Sequence, residues 1–191
     1  MAARAVSEQG GLQAHKAMAA LLVDVDEVVR QIAVRHFNRS TDPRSVRPLA
    51  MTVAYGDAVG AQFAAHRIAT LGPLAVAPLL DALRTQDGPL RDAIGRLLDD
   101  LDDPDSLVIL CKGLEEDDPR IWRPVNEALG RKSARVLPYL LPMANHPEAR
   151  VRELAGALQE RLGGAAGGPK DEGDPQLALG RSEDGSDRRG P

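Results

Sequence analysis

Val46, Val76, Ser106 and Val136 stand thirty positions apart, and their neighbours recur with them: Pro48, Pro78, Val108 and Pro138, then Leu49, Leu79, Ile109 and Tyr139, then Ala50, Leu80, Leu110 and Leu140. A fixed period of this size marks a repeat protein, in which each unit buries its apolar face only by stacking on its neighbours. Such a chain builds a long continuous surface and needs no pocket, which favours a binding role over catalysis.

Two helices fit within one period. A second apolar pattern is anchored on Val29-Arg30, Ala61-Gln62, Leu90-Arg91, Trp122-Arg123 and Val151-Arg152, at successive spacings of 32, 29, 32 and 29. This looser half is helix A, and the half in strict register is helix B. Val46, Leu49, Ala50 and Val53 fall at i, i+3, i+4 and i+7, as do Val76, Leu79, Leu80 and Leu83, the stripe of an amphipathic helix. Pro48, Pro78 and Pro138 come near the B-helix starts, where a missing N–H is tolerated. The pattern predicts B helices over 12–23, 44–55, 74–85, 105–116 and 134–144, and A helices over 26–38, 57–70, 88–100, 119–131 and 147–162. Pro124 and Pro142 should delay or kink the last of these pairs.

A repeat domain is therefore expected over residues 12–162. Residues 1–11 carry no pattern. Residues 163–191 hold eight glycines and three prolines, with Leu177 and Leu179 as the only large apolar side chains. Segments of that kind bury too little apolar surface to offset their ordering entropy, and both ends are expected to be disordered.

The repeats must be held by Leu, Val, Ile and Ala, because aromatic residues make up only 3% of the chain. The net charge of -4 is spread along the sequence, with 20 basic and 22 acidic residues before position 165. A near-neutral body argues against nucleic-acid binding. Cys111 is the single cysteine, so no intrachain disulfide forms and a reducing compartment is expected. The first ten residues lack an apolar core of signal-peptide length, and the longest apolar stretch, residues 17–23, is too short for a bilayer. A cytoplasmic monomer without membrane contact is expected.

The frame Asp118-Pro119-Arg120-Ile121-Trp122-Arg123, through Ala128-Leu129-Gly130 to Val136-Leu137-Pro138-Tyr139-Leu140-Leu141, resembles HEAT repeats of the short bacterial type also found in phycobilin lyase subunits. The resemblance covers residues 12–162, four full repeats with flanking half repeats. It implies an all-α solenoid of antiparallel helix pairs wound as a right-handed superhelix, with B helices on the concave side and another protein as the ligand. It also implies an alternative, a lyase-like or chaperone subunit acting on a bilin or a client protein. The His-Glu dipeptides of the HEAT-like deoxyhypusine hydroxylases are absent, and the basic, aromatic groove of the HEAT-like alkylpurine DNA glycosylases has no counterpart here.

No catalytic residue, metal ligand or cofactor site is expected. The four histidines, His15, His36, His66 and His146, lack a carboxylate at ligand spacing, although His36 and His66 are placed for adjacent A helices. Asp26, Asp87, Asp118 and Glu148 precede Arg30, Arg91, Arg123 and Arg152, as helix caps with arginines reaching back to them or on to the next repeat. Trp122, in the column of Val29, Leu90 and Val151, is expected in the core. Two acidic runs, at 99–105 and 115–118, and two basic spots, Arg39 with Arg44 and Arg47 and Arg131 with Lys132 and Arg135, read as solvated edges whose alternating sign suits a protein partner. The B-helix column Met51, Asp81, Cys111 and Leu141 varies in polarity between apolar neighbours and so should face outward. Met51, Tyr55, Asp81, Arg84, Cys111 and Lys112 form the candidate partner-binding groove.

Overall fold

The computed structural model describes residues 11–166, and no strand occurs among them. Ten α-helices follow one another: α1 (Leu12–Ala20), α2 (Glu27–Arg39), α3 (Val46–Tyr55), α4 (Ala58–Leu71), α5 (Pro73–Thr85), α6 (Pro89–Asp100), α7 (Pro104–Lys112), α8 (Pro119–Arg131), α9 (Leu137–Leu140) and α10 (Ala149–Ala166). Short 3₁₀ turns extend several of them. The expected boundaries hold to within a few residues, but α10 runs to Ala166, past the limit set at 162. Gly11, assigned to the N-terminal end, is described as the residue before α1, and the other residues assigned to disordered ends, 1–10 and 167–191, lie outside the described part.

Local chemistry explains where helices begin. Pro73, Pro89, Pro104 and Pro119 each open a helix, where the absent N–H costs nothing. Asp26, Asp57, Asp103 and Asp118 cap helices through their carboxylates, for example on the Gly60 amide at 2.7 Å and the Val28 amide at 2.8 Å. Gly72, at φ 54, joins α4 directly to α5, a conformation open to glycine at little cost. Pro78 does not start its helix; it lies inside α5. Helix α8 continues through Pro124, while the region of Pro142 breaks as expected into α9 and a 3₁₀ turn.

Helices pack on those two places along the chain: α1 on α3, α3 on α5, α5 on α7 and α7 on α9, and likewise α2 on α4, α4 on α6, α6 on α8 and α8 on α10. The shared core is aliphatic, with Met18, Leu49, Ile68, Leu79, Leu98 and Leu110 fully enclosed and Phe37 its one fully buried aromatic residue.

The burial pattern corrects the register. In the second unit Ala75, Val76, Leu79, Leu80, Ala82 and Leu83 are buried; in the third the same places belong to Ser106, Leu107, Leu110, Cys111, Gly113 and Leu114. Those residues stand 31 positions on, while the steps on either side are 30. Ser106 thus aligns with Ser45 and Ala75, and Val76 aligns with Leu107. A local motif agrees: Asp42-Pro43-Arg44-Ser45 and Asp103-Pro104-Asp105-Ser106 both turn into a helix with the serine hydroxyl bonded back to the aspartate, through the Asp42 carbonyl at 2.7 Å and the Asp103 carboxylate. On the other row the buried positions Val29 (half-buried), Gly60, Leu90, Ile121 and Val151 also alternate 31 and 30.

The corrected register makes Leu107 a core residue and leaves Val108 at 41% exposure. Leu107→Ala should lower unfolding free energy by about 2–5 kcal/mol, and Val108→Ala by under about 1 kcal/mol, in urea denaturation. Equal losses would contradict the shifted register.

Candidate protein-docking groove

Helices α1 and α3 face each other with matching stripes. On α1 and its 3₁₀ extension these are Leu12, Lys16, Ala19, Ala20 and Val23; on α3 they are Arg47, Pro48, Met51, Thr52 and Tyr55, with Gly56 at the end. Each stripe repeats at three or four residues, so one side of each helix lines the space. Alanines on α1 leave room, and the result is an open groove of about 600 Å³. Gly56 and Gly60 lie close against Val23: a Cβ on either would stand 3.1 or 3.0 Å from Val23 Cγ1, and one on Gly56 also 2.5 Å from the Thr52 carbonyl oxygen.

The groove is apolar along most of its length, with its two cations toward the end at which both helices begin, one turn in from Leu12 on the α1 wall. Leu12, Val23, Met51 and Tyr55 are all large hydrophobic side chains open to solvent. Lys16 and Arg47 hold equivalent places on the two helices, no carboxylate lines the groove, and neither cation is ion-paired among the described residues.

Of the six candidate residues, Met51 and Tyr55 belong to this groove. Asp81 and Arg84 lie on α5, where Arg84 is 3.9 Å from Asp81 and 2.8 Å from Glu116. Lys112 is exposed on α7. Cys111 is 1% exposed, and burial pushes its thiol up to about 12; the expectation that it faces outward fails because the one-residue shift places Lys112, not Cys111, level with Met51 and Asp81. Lys16 and the α1 wall were missed, although the stripe 12, 16, 19, 20, 23 is visible in the sequence.

The charged runs are largely used within the fold. Arg131 bonds Asp99 at 3.0 Å and Arg135 bonds Asp102 at 3.2 Å, so the acidic run at 99–105 and the second basic spot are partners of each other. Between them Lys132 is buried, its ammonium donating to the carbonyls of Leu98, Asp99 and Leu101 at 3.2, 2.9 and 2.7 Å. Burial lowers its pKa, and the carboxylates of Asp102, Asp99, Asp100 and Asp103 oppose that shift. At the other basic spot Arg44 bonds Asp42 at 2.6 Å.

The arginine column serves backbone carbonyls, and Arg30 pairs in addition with the Glu27 carboxylate. Arg30 donates to Asp24 and Val25 at 2.7 and 3.1 Å, Arg91 to Leu83 and Arg120 at 3.2 and 2.6 Å, and Arg152 to His146 and Pro147, both at 2.7 Å. The corrected register places Trp122 in this column. It is half-buried, with the guanidinium carbons of Arg123 and Arg150 at 5.4 and 5.7 Å from its ring centroid, two cation–π contacts in place of the expected core position.

His36 pairs with His15, not with His66. His15 Nδ1 and His36 Nε2 are 3.0 Å apart, and His15 Nε2 lies 3.3 Å from Asp42. His15 is buried, and these contacts tie α1 to α2 and to the turn before α3. The Arg44 guanidinium, helped by its amide and by His15, holds the Asp42 carboxyl well below the usual range. No group of three or more His, Cys, Asp or Glu side chains suited to a metal occurs among the described residues, nor does a single helix long and apolar enough to cross a membrane. No protein-family model matches the chain, and no curated protein matches its sequence.

Two outcomes are expected. Lys132→Met leaves three carbonyls without their donor and should cost about 1–3 kcal/mol in urea denaturation. Burial, and then His15, lower the pKa of His36 below its ordinary 6.5. The unfolded chain therefore takes up this proton first, so the contribution is present above that value and is lost as pH falls toward the lowered one. Thermal unfolding followed from about pH 7 to pH 5 should show a declining midpoint, with a flatter decline in His36→Gln.

Proposed function

We propose that this chain is a HEAT-like helical-repeat module that binds another protein without catalysing a reaction, and that the groove between α1 and α3 is its docking surface. In this reading the odd-numbered helices form the concave row of a right-handed solenoid of antiparallel pairs. The observation that carries it is the concentration of exposed apolar side chains on two facing stripes with two cations toward one end. Apolar contact area with a polar rim is the anatomy of a protein interface. Two parallel helical walls also suit an apolar segment laid between them. Mutual pairing within the charged runs supports this choice of surface, since Lys16 and Arg47 of the groove have no such ion-pair partner among the described residues. The buried, weakly acidic thiol of Cys111 does not suit a nucleophile.

Affinity capture from the native source separates the possibilities. The chain and a Met51→Glu/Tyr55→Ala variant, both side chains being exposed, serve as baits. A partner retained by the native bait and lost from the folded variant is expected. Equal retention by both would sink the groove as the docking surface.

A further inference from the structure

The groove is polarised along its length. Arg47, Met51 and Tyr55 succeed one another at one turn of α3, so the cations and the far apolar end lie about 12 Å apart at 1.5 Å per residue. A matching occupant carries an acid at one end and apolar side chains some 12 Å further on. It also needs its apolar groups on one side, since the groove is open on the other.

The chain contains such a segment outside its described residues. Asp174 is preceded by Asp171 and Glu172, and Leu177 and Leu179 follow as the large apolar side chains of the last 25 residues. In extended backbone Leu177 and Leu179 point the same way, and they stand roughly 10–17 Å beyond Asp174 at about 3.3 Å per residue. Residues 1–10 offer a poorer match, with Glu8 alone against Arg4 and Val6 as the one branched apolar side chain.

Place in the row of helices bears on which copy supplies it. Asp174 lies eight residues beyond Ala166, at most about 29 Å. From α10 the packing runs through α8 and α6 to α3, three steps of about 8–10 Å each, and the groove lies a further step on, toward α1. Packed in that order, the groove lies at the far end of the row of helices from α10, which favours the tail of a second copy over the chain's own. We propose that the groove between α1 and α3 receives residues 174–179 of a second copy of this chain, with Asp174 at Lys16 and Arg47 and the two leucines along Met51 and Tyr55. The inference rests on the groove being a docking surface and specifies its occupant.

Sedimentation velocity of the full chain across the micromolar range tests it, with circular dichroism as the check on folding. The native chain should associate with rising concentration. Leu177→Glu/Leu179→Glu and Met51→Glu should each remain monomeric alone, yet form a heterodimer when mixed, because one keeps its groove and the other its tail. A fluorescein-labelled peptide of residues 171–181 should bind the tail variant, and the Met51→Glu chain about tenfold more weakly, equivalent to about 1.4 kcal/mol. A native chain that stays monomeric overturns the proposal, whether or not the peptide binds. So does association that survives both substitutions, or a mixture that forms no heterodimer. If association fails while Met51→Glu/Tyr55→Ala still loses a captured protein, the docking surface stands and only this occupant falls.

Discussion

Each unit of this chain has one apolar stripe per helix and nothing of its own to bury it against, so the structure depends on contact between one unit and the next. Leu49, Leu79 and Leu110 are enclosed because α3, α5 and α7 lie in sequence along one row. Apolar contact alone has no direction and would let neighbours slide. Register comes from basic side chains that cross the junctions to backbone carbonyls: Arg67 to Ser40 at 2.6 Å, Arg120 to Arg84 at 3.0 Å, Lys132 to the end of α6, and Arg150 to Leu114 at 3.1 Å. These donors satisfy the carbonyls that a helix end leaves open. One repeat thereby terminates the helices of the one before it.

The positions of all ten helices were legible because amphipathic stripes and starting prolines act locally. What the sequence concealed was a single residue. A column drawn at a constant thirty runs correctly from Val46 to Val76 and then falls on Ser106, whose structural counterparts are Ser45 and Ala75. The error is small along the chain and large in chemistry, because one residue turns a helix by about 100°. It misplaced Cys111 as outward-facing, and a like one-residue slip in the A-helix column, drawn at spacings of 32 and 29, misplaced Trp122 as core. The paired Asp-Pro-x-Ser turns carried the true register, since their spacing of 61 positions contains one long and one short unit.

The candidate site was half legible for a related reason. Met51 and Tyr55 stood out because they vary where their neighbours do not. Lys16 and the rest of the α1 wall did not, because the column comparison began one unit later. Charge was the least legible property. The alternating edges looked outward-facing, yet a sequence gives no measure of pairing across about thirty residues, and Arg131 with Asp99, Arg135 with Asp102 and Arg84 with Glu116 are all of that kind.

Burial of Cys111 has a practical meaning. The chain has one sulfhydryl, held inside α7 between neighbouring helices and kept protonated by its surroundings. A thiol reagent can reach it only when α7 lifts from the row, so its rate of modification measures how often the middle of the molecule opens. The protein carries a native reporter of its own breathing at the unit whose spacing departs from its neighbours.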